Sequence, residues 1–332
     1  EREEWGGEAL DGVTTTPSYS RDRIADFDLR VGTPQLDQTH QIRDAGWFED
    51  DPKSVFDLPI DDDAKATRLA VWRAADSAYR QARKRLLKVR ANLAVKVEAS
   101  DTSADFSSSQ AQVAAFEASE TRVDTEKWRS ILKRVSAGVN AHPEIEGNAF
   151  QFSAKAQTRF FVTTEGTRLV LPDVRYTISM TMFTTADDGM RLQVHQNFFA
   201  YDEASLPDEA KLQAELQGAV KRLLALRAAP VVEPITAPAI LEGRAAAVFF
   251  HEVLGHRIES HRQKDDNEGQ TFRERVGHPI LPEFISVIDD PTQTELNGTP
   301  LNGAYSHDDE GVAAARVEVV KDGVLHNFLT SR

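Results

Sequence analysis

The residues best suited to chemistry lie in the stretch AAVFFHEVLGHRIESHR, which carries His251, Glu252 and His256. Imidazole nitrogens and carboxylate oxygens are ordinary zinc ligands, and a glutamate beside such an ion can take a proton from water whose pKa the metal lowers. The common H-E-x-x-H zinc helix spaces its histidines four apart; here they stand five apart. On an ideal helix that separation is about 140° around the axis, against about 40° for four. The two rings therefore meet one ion only if the helix bends, ends or bulges between them. Gly255, just before His256, is the residue type that permits such a break. The competing reading is simply two histidines in a helix, since the string is short. The apolar AAVFF flank predicts a buried helix, and burying a glutamate and two histidines without a use is unfavourable.

The chain has no cysteine, so any metal must be held by His, Asp, Glu or water, and the fold cannot rest on disulfides. A catalytic zinc usually takes a third protein ligand. By residue type His261 and His278 are candidates, but His261 lies five beyond His256, on another face of a straight helix, within the polar RIESHRQKDDNEGQ. The stretch from His261 to Gly277 reads as a surface loop or as a flap over a groove.

The elements that must position these groups follow from pattern. DDD at 61–63 opens a long helix with an apolar stripe Leu69, Trp72, Ala75, Tyr79, Leu86, Val89, Leu93. Its basic run RQARKRLLKVR is a solvated face rather than a docking patch. A second helix is predicted from Asp124 to Ala137, with Trp128, Ile131, Leu132 and Val135 on one side. A β-rich block follows, its TEGT and ADDG segments reading as hairpin turns and its lone His195 as structural. Asp208 opens a further helix, after which the Pro-punctuated APVVEPITAPAI marks a boundary near residue 230. Residues 1 to about 60 are polar and broken, with ADFDLRVG offering edge strands. The expected fold is α+β. An N-terminal α/β domain with an antiparallel sheet and long helices spans 1–230, and a β-rich domain carrying the histidine helix spans 231–332.

At 332 residues the chain fits two domains, or three. Thirty-nine basic residues against 53 acidic give a net charge of −14, which repels a phosphate backbone and argues against direct nucleic-acid binding. No run approaches the roughly 20 apolar residues of a membrane helix, so no membrane partner is expected. The chain opens on EREEWGGEAL without a methionine and stops at NFLTSR after an apolar run, so both ends read as cuts or processing sites. The strands at 312–332 are expected to need partners from beyond that end.

The segment FFHEVLGHRIES, followed about fifty residues on by SHDDEGVAAARVEVVKDGVLHNFLTSR, resembles the TldD/PmbA family of zinc metallopeptidases. The likeness covers roughly residues 230 to 332 and is only architectural before that. It implies a two-domain cytoplasmic protein that hydrolyses unfolded or extended peptides, as a homodimer or as a heterodimer with another TldD/PmbA-type subunit. It also implies that His251 and His256 bind zinc and that Glu252 is the general base. Glu259 matches an acidic position after the second histidine, and Asp308, Asp309, Glu310 and Gly311 match a site-shaping DDEG turn. The intact H-E-x-x-x-H implies the active type of subunit. The departure is the third ligand, a cysteine in the family, which this chain lacks. The alternatives carried forward are a non-catalytic peptide-binding or assembly subunit with an incomplete metal site, and a gyrase regulator, which the charge disfavours.

Overall fold

A computed structural model describes residues 1–40, 54–95, 103–117, 123–264 and 269–332. Seven strands occupy the first 57 residues: β1 (Arg2–Leu10), β2 (Val13–Thr14), β3 (Ser18–Asp22), β4 (Ile24–Asp26), β5 (Gly32–Thr33), β6 (Leu36–Asp37) and β7 (Val55–Asp57). The long helix α1 (Ala64–Val95), strand β8 (Val113–Ala115) and helix α2 (Thr125–Ala137) come next. Then follow β9 (Gly147–Val162), β10 (Arg168–Thr185), β11 (Arg191–Ala200) and helix α3 (Glu209–Ala228).

The large sheet runs β11-β10-β9-β1-β2, with β3 also paired to β1 and β8 joined to β10 in parallel. Its frame is the β9–β10 hairpin, in register from Arg168↔Val162 to Phe183↔Gly147 and turned through the predicted TEGT segment. ADDG makes the next turn, into β11. Alternation decides which face is covered. Phe150, Phe152 and Ala154 of β9, with Ile178, Met180 and Met182 of β10, point into one core. Helices α2 and α3 close that core. Each starts on the expected aspartate, Asp124 accepting from the Lys127 amide and Asp208 from that of Lys211. Trp128 of α2 stacks on Phe152 at 4.8 Å between centroids, and Leu212, Leu216 and Leu223 of α3 are buried beside it.

Two expectations change. Residues 1 to about 60, read as polar and broken, contain a long regular strand: β1 lies inside the sheet, paired with β9 from Arg2↔Gln157 to Ala9↔Phe150. In α1 the buried line is Ala74, Ala78, Ala82, Leu86 and Val89, while Leu69, Trp72 and Tyr79 are exposed. The expected stripe holds at Leu86 and Val89, while over the first half of the helix the buried face is shifted by one residue, about 100° around the axis, so that small alanines face the packed side.

After the irregular stretch 230–242, helix α4 (Gly243–Val253) and the short α5 (Ser260–Lys264) are followed by β12 (Val287–Asp289), β13 (Glu295–Leu296), β14 (Thr299–Pro300), β15 (Val317–Lys321) and β16 (Val324–Leu325). Strands β12, β15 and β16 form one small sheet. The β15–β16 turn is the predicted KDG, with Asp322 and Gly323 both at positive φ, as a type I′ hairpin requires. Among the described residues no helix is long and apolar enough to cross a membrane.

The face assignment of β9 is testable with two phenylalanines. Phe150→Ala empties a fully buried position and should lower unfolding stability by about 3–5 kcal/mol. Phe160→Ala, on an exposed ring, should change it by about 0.5 kcal/mol or less. Equal losses in urea denaturation would refute the assignment.

Candidate metal centre

Helix α4 ends at Val253. Leu254 leaves helical geometry at φ −121° and ψ −52°, and Gly255–Arg257 continue as a single 3₁₀ turn. That break falls between the two histidines and brings their rings to 4.4 Å between centroids, inclined at 66°. Glu252 stands with them: its carboxylate oxygens lie 3.8 Å from Nε2 of His251 and 4.0 Å from Nε2 of His256. One ligand atom from each of the three residues falls within 4.8 Å of the others. Ligands on one tetrahedral zinc sit roughly 3.3 Å apart, so small side-chain rotations suffice to close these distances on an ion. Two imidazoles are a donor type that zinc takes, and the Glu252 carboxylate stands beside them. The set fits the metal.

The break is held from the far side. Leu254 and Ile258 are buried among Val319, Val320 and Leu325 of the β15–β16 hairpin. The backbone adds two bonds, Leu329 N–H donating to the Ile258 carbonyl at 2.8 Å and Ser260 N–H to that of Leu329 at 2.9 Å. The NFLTSR run thus docks on residues 258–260. Gly255 proves less special than its position implied. Its φ is not positive, and a methyl group there would meet its nearest neighbours at 3.8 Å, an ordinary contact. The break falls at Leu254, which is buried.

Glu259 faces the second histidine. Nδ1 of His256 lies 2.9 Å from one Glu259 oxygen, and Nε of Arg262 donates to the other at 2.7 Å. A carboxylate only accepts, so Nδ1 carries the hydrogen and Nε2 faces Glu252. Burial pushes the Glu259 carboxyl up, but the hydrogen bonds from Arg262 and His256 outweigh it and hold it below the ordinary glutamate range. Arg262 was not singled out from sequence, although its spacing of three from Glu259 is the signal that could have found it. His261 reaches only the back of Glu259, at 3.7 Å. His278 sits in a backbone turn, its carbonyl accepting from the Leu325 amide at 3.1 Å. The flap expected over His261–Gly277 lies partly outside the described residues.

One expectation is overturned. No residue of α4 is buried, and Val248, Phe249 and Phe250 are 58%, 46% and 42% exposed. The side chains of His251 and Glu252 are about three-fifths exposed, at 61% and 62%. Hydropathy marks these residues as able to be buried, but no described segment lies over them. The helix is tied instead at its start, where Arg244 donates to Gln196 at 3.0 Å and to Asn197 at 3.1 Å on β11. His195, one residue away, bonds Thr181 across the sheet, in keeping with a structural role.

The DDEG turn is set on the large sheet. Asp308 accepts from the amides of Glu310 and Val312 at 2.9 and 2.8 Å, closing the turn on itself. Arg159 of β9 donates to the carbonyls of His307 and Asp308 and pairs with the Asp309 carboxylate. Glu310 accepts from the Arg332 amide at 2.6 Å. Gly311 has φ +76°, and a Cβ there would stand 2.3 Å from the Phe161 ring. Among the described residues, the turn's hydrogen bonds and ion pairs run to these groups and to Arg30, and not to His251 or His256.

The description PmbA/TldA metallopeptidase C-terminal domain belongs to the family profile that matches residues 234–332. A metalloprotease of Synechocystis sp. is 29% identical over 185 residues, 55% of this chain and 37% of its own length. The zinc metalloprotease TldD homolog of Saccharolobus solfataricus is 21% identical over 202 residues, 60% of this chain and 43% of its own. TldE from Thermococcus kodakarensis matches with a TM-score of 0.54 at 14% identity, covering 99% of this chain and 64% of that one, a likeness of fold. The part of the chain that carries the histidines is thus of metallopeptidase type. The likeness to that family lies in residues 234–332, and the chain spans under half the length of these two sequence relatives.

Two glycines separate the site's geometric demands. Gly255→Ala should leave urea stability within about 0.5 kcal/mol of wild type or raise it, since a helix-turn alanine gains what glycine loses. Gly311→Ala should cost about 2–3 kcal/mol from left-handed backbone and ring overlap together. In a Phe161→Ala background that cost should fall to about 1 kcal/mol. An unchanged cost there would show that the ring plays no part.

Proposed function

We propose that this chain is the catalytic, TldD-like part of a zinc metallopeptidase acting on unfolded or extended peptides. Residues 231–332 form the metallopeptidase domain and residues 1–230 an α+β domain. The observation that carries the reading is the convergence of His251, Glu252 and His256 within 4.8 Å at a helix break. His251 and His256 hold the ion, and Glu259 fixes the ring of His256 through Nδ1, the usual way a carboxylate orients a ligating imidazole. Bound there, zinc supplies Lewis acidity that brings the pKa of water towards neutrality.

Glu252 supplies the proton chemistry. Its carboxylate lies close to both imidazoles without a hydrogen-bond donor of its own at 3.5 Å or less among them, which leaves its lone pairs available. It accepts a proton from the attacking water and delivers it to the departing amine, so one group serves first as base and then as acid. The exposure of these side chains suits a polypeptide substrate, which needs an open approach. Partnership with another TldD/PmbA-type subunit, or with a second copy, and a cytoplasmic setting belong to the same proposal, on the strength of the family alone.

The reading is tested by separating metal from chemistry. His251→Ala and His256→Ala should each weaken zinc binding at least about tenfold in a calorimetric titration, as loss of one of few ligands does. Glu252→Gln should keep zinc affinity within about threefold while hydrolysis of an unfolded protein such as reduced casein falls by about a hundredfold or more. Near-wild-type cleavage by the Gln variant would remove Glu252 from the mechanism. Undiminished zinc binding by either alanine variant would remove the site.

A further inference from the structure

A cleft of about 620 Å³ opens between the start of β10 and the 290–306 loop. That size is typical of sites for small ligands or single side chains. Asp173 and Tyr201 lie on one wall, and Thr292, Thr294, Tyr305 and Ser306 on the other. The walls are tied together around the opening, so the shape is formed in advance. Tyr201 donates its hydroxyl to the Leu301 carbonyl at 2.6 Å, Arg175 donates to the Asn302 carbonyl at 2.5 Å, and the Tyr305 amide bonds the Pro291 carbonyl at 2.9 Å.

The character of the cleft follows from what surrounds it. Asp289 and Asp290 precede the loop, and Asp308 and Asp309 follow it. Partial desolvation raises the Tyr305 phenol pKa, and the carboxylates of Asp289, Asp308 and Asp309 raise it further, which places their negative charge at the ring. Partial desolvation, then Asp290, pushes the Asp289 carboxyl up in the same way. Two cations stand near, and both are engaged: Arg175 pairs with Asp173 at 2.6 Å, and Arg159 pairs with Asp309. Asp173 lines the cleft and the other four carboxylates adjoin it, a surplus over the two guanidinium groups beside two tyrosine rings, while the hydroxyls of Thr292 and Ser306 already bond Asp290 and His307. Such a setting repels anions, offers a neutral apolar group nothing specific, and attracts a cation through the aromatic faces as well as the charge.

We propose that this cleft is a second binding site, for the ammonium or guanidinium group of a basic side chain. It stands on the cleft alone and does not depend on the metal centre. The site is tested on the 332-residue protein by calorimetric or NMR titration with the N-acetyl, N′-methylamide derivatives of lysine, arginine, norleucine and glutamate. The lysine and arginine probes should bind at least about tenfold tighter than norleucine, with glutamate weakest, and added salt should narrow the difference. The two basic probes distinguish an ammonium from a stacking guanidinium. Tyr305→Ala should weaken both by about fivefold, and the isosteric Asp289→Asn should weaken them while leaving norleucine unchanged. His256→Ala should alter none of these affinities, which separates this result from the fate of the metal centre. Equal binding of norleucine, a preference for glutamate, or no binding of the basic probes would overturn the proposal, as would basic-probe affinities untouched by both cleft substitutions.

Discussion

The burial of Leu254 and Ile258 against the β15–β16 hairpin is the contact on which the candidate centre depends. The two side chains are four residues apart, one turn on a helix, and both point into the small core. Their burial anchors the turn in which the chain leaves α geometry at Leu254, and that break converts a five-residue spacing from a divergence into a convergence. The chemistry of the histidines is thus set by apolar packing on the opposite side of the same turn. Fully burying such a side chain stabilises by about 1.5–3 kcal/mol, ample to offset the loss of a few helical hydrogen bonds at a terminus where several are unmade in any case.

A second constraint works at longer range. The small sheet has only three strands and a modest core, so it gains from its ties to the large one. Arg159 and Phe161 of β9 seat the DDEG turn, and Arg332 joins the Phe106 ring on one side while Arg30 stacks at 4.2 Å on the same ring. Two guanidinium groups on one ring would repel in water. Here Asp37 and Glu310 accompany Arg30, and Glu165 accompanies Arg332, so each charge has its own carboxylate. The histidine turn, the NFLTSR run and the large sheet are coupled through these polar contacts.

Local features of this architecture were legible in the sequence. Aspartates at 124 and 208 announced their helices, the TEGT, ADDG and KDG turns marked the hairpins, and the stripe of α2 matched its buried face. The donors of the candidate centre, and the break they needed, could be read from spacing alone. What could not be read depends on partners distant in sequence. β1 contains two glycines and four charged residues, and its place inside the sheet rests on pairing with β9, about 140 residues away, where Trp5 and Ala9 find the core. The part played by Leu254 was hidden for the same reason: glycine signals permission to bend, whereas the bend here falls at a leucine whose packing partners lie 65 to 71 residues further on.

Among the described residues, helix α4 is fastened near its two ends, by Arg244 to the rim strand β11 and by Leu254 to the small core. Between those fixings none of its residues is buried, so it has the layout of a bar held at both ends. His251 and Glu252 ride on the bar, whereas His256 lies beyond the second fixing. A twist of the rod about its own axis therefore moves two donors while the third stays still. The gap between the imidazoles becomes a gauge of that twist, and anything that grips the bare aromatic flank of Phe249 and Phe250 holds the dial.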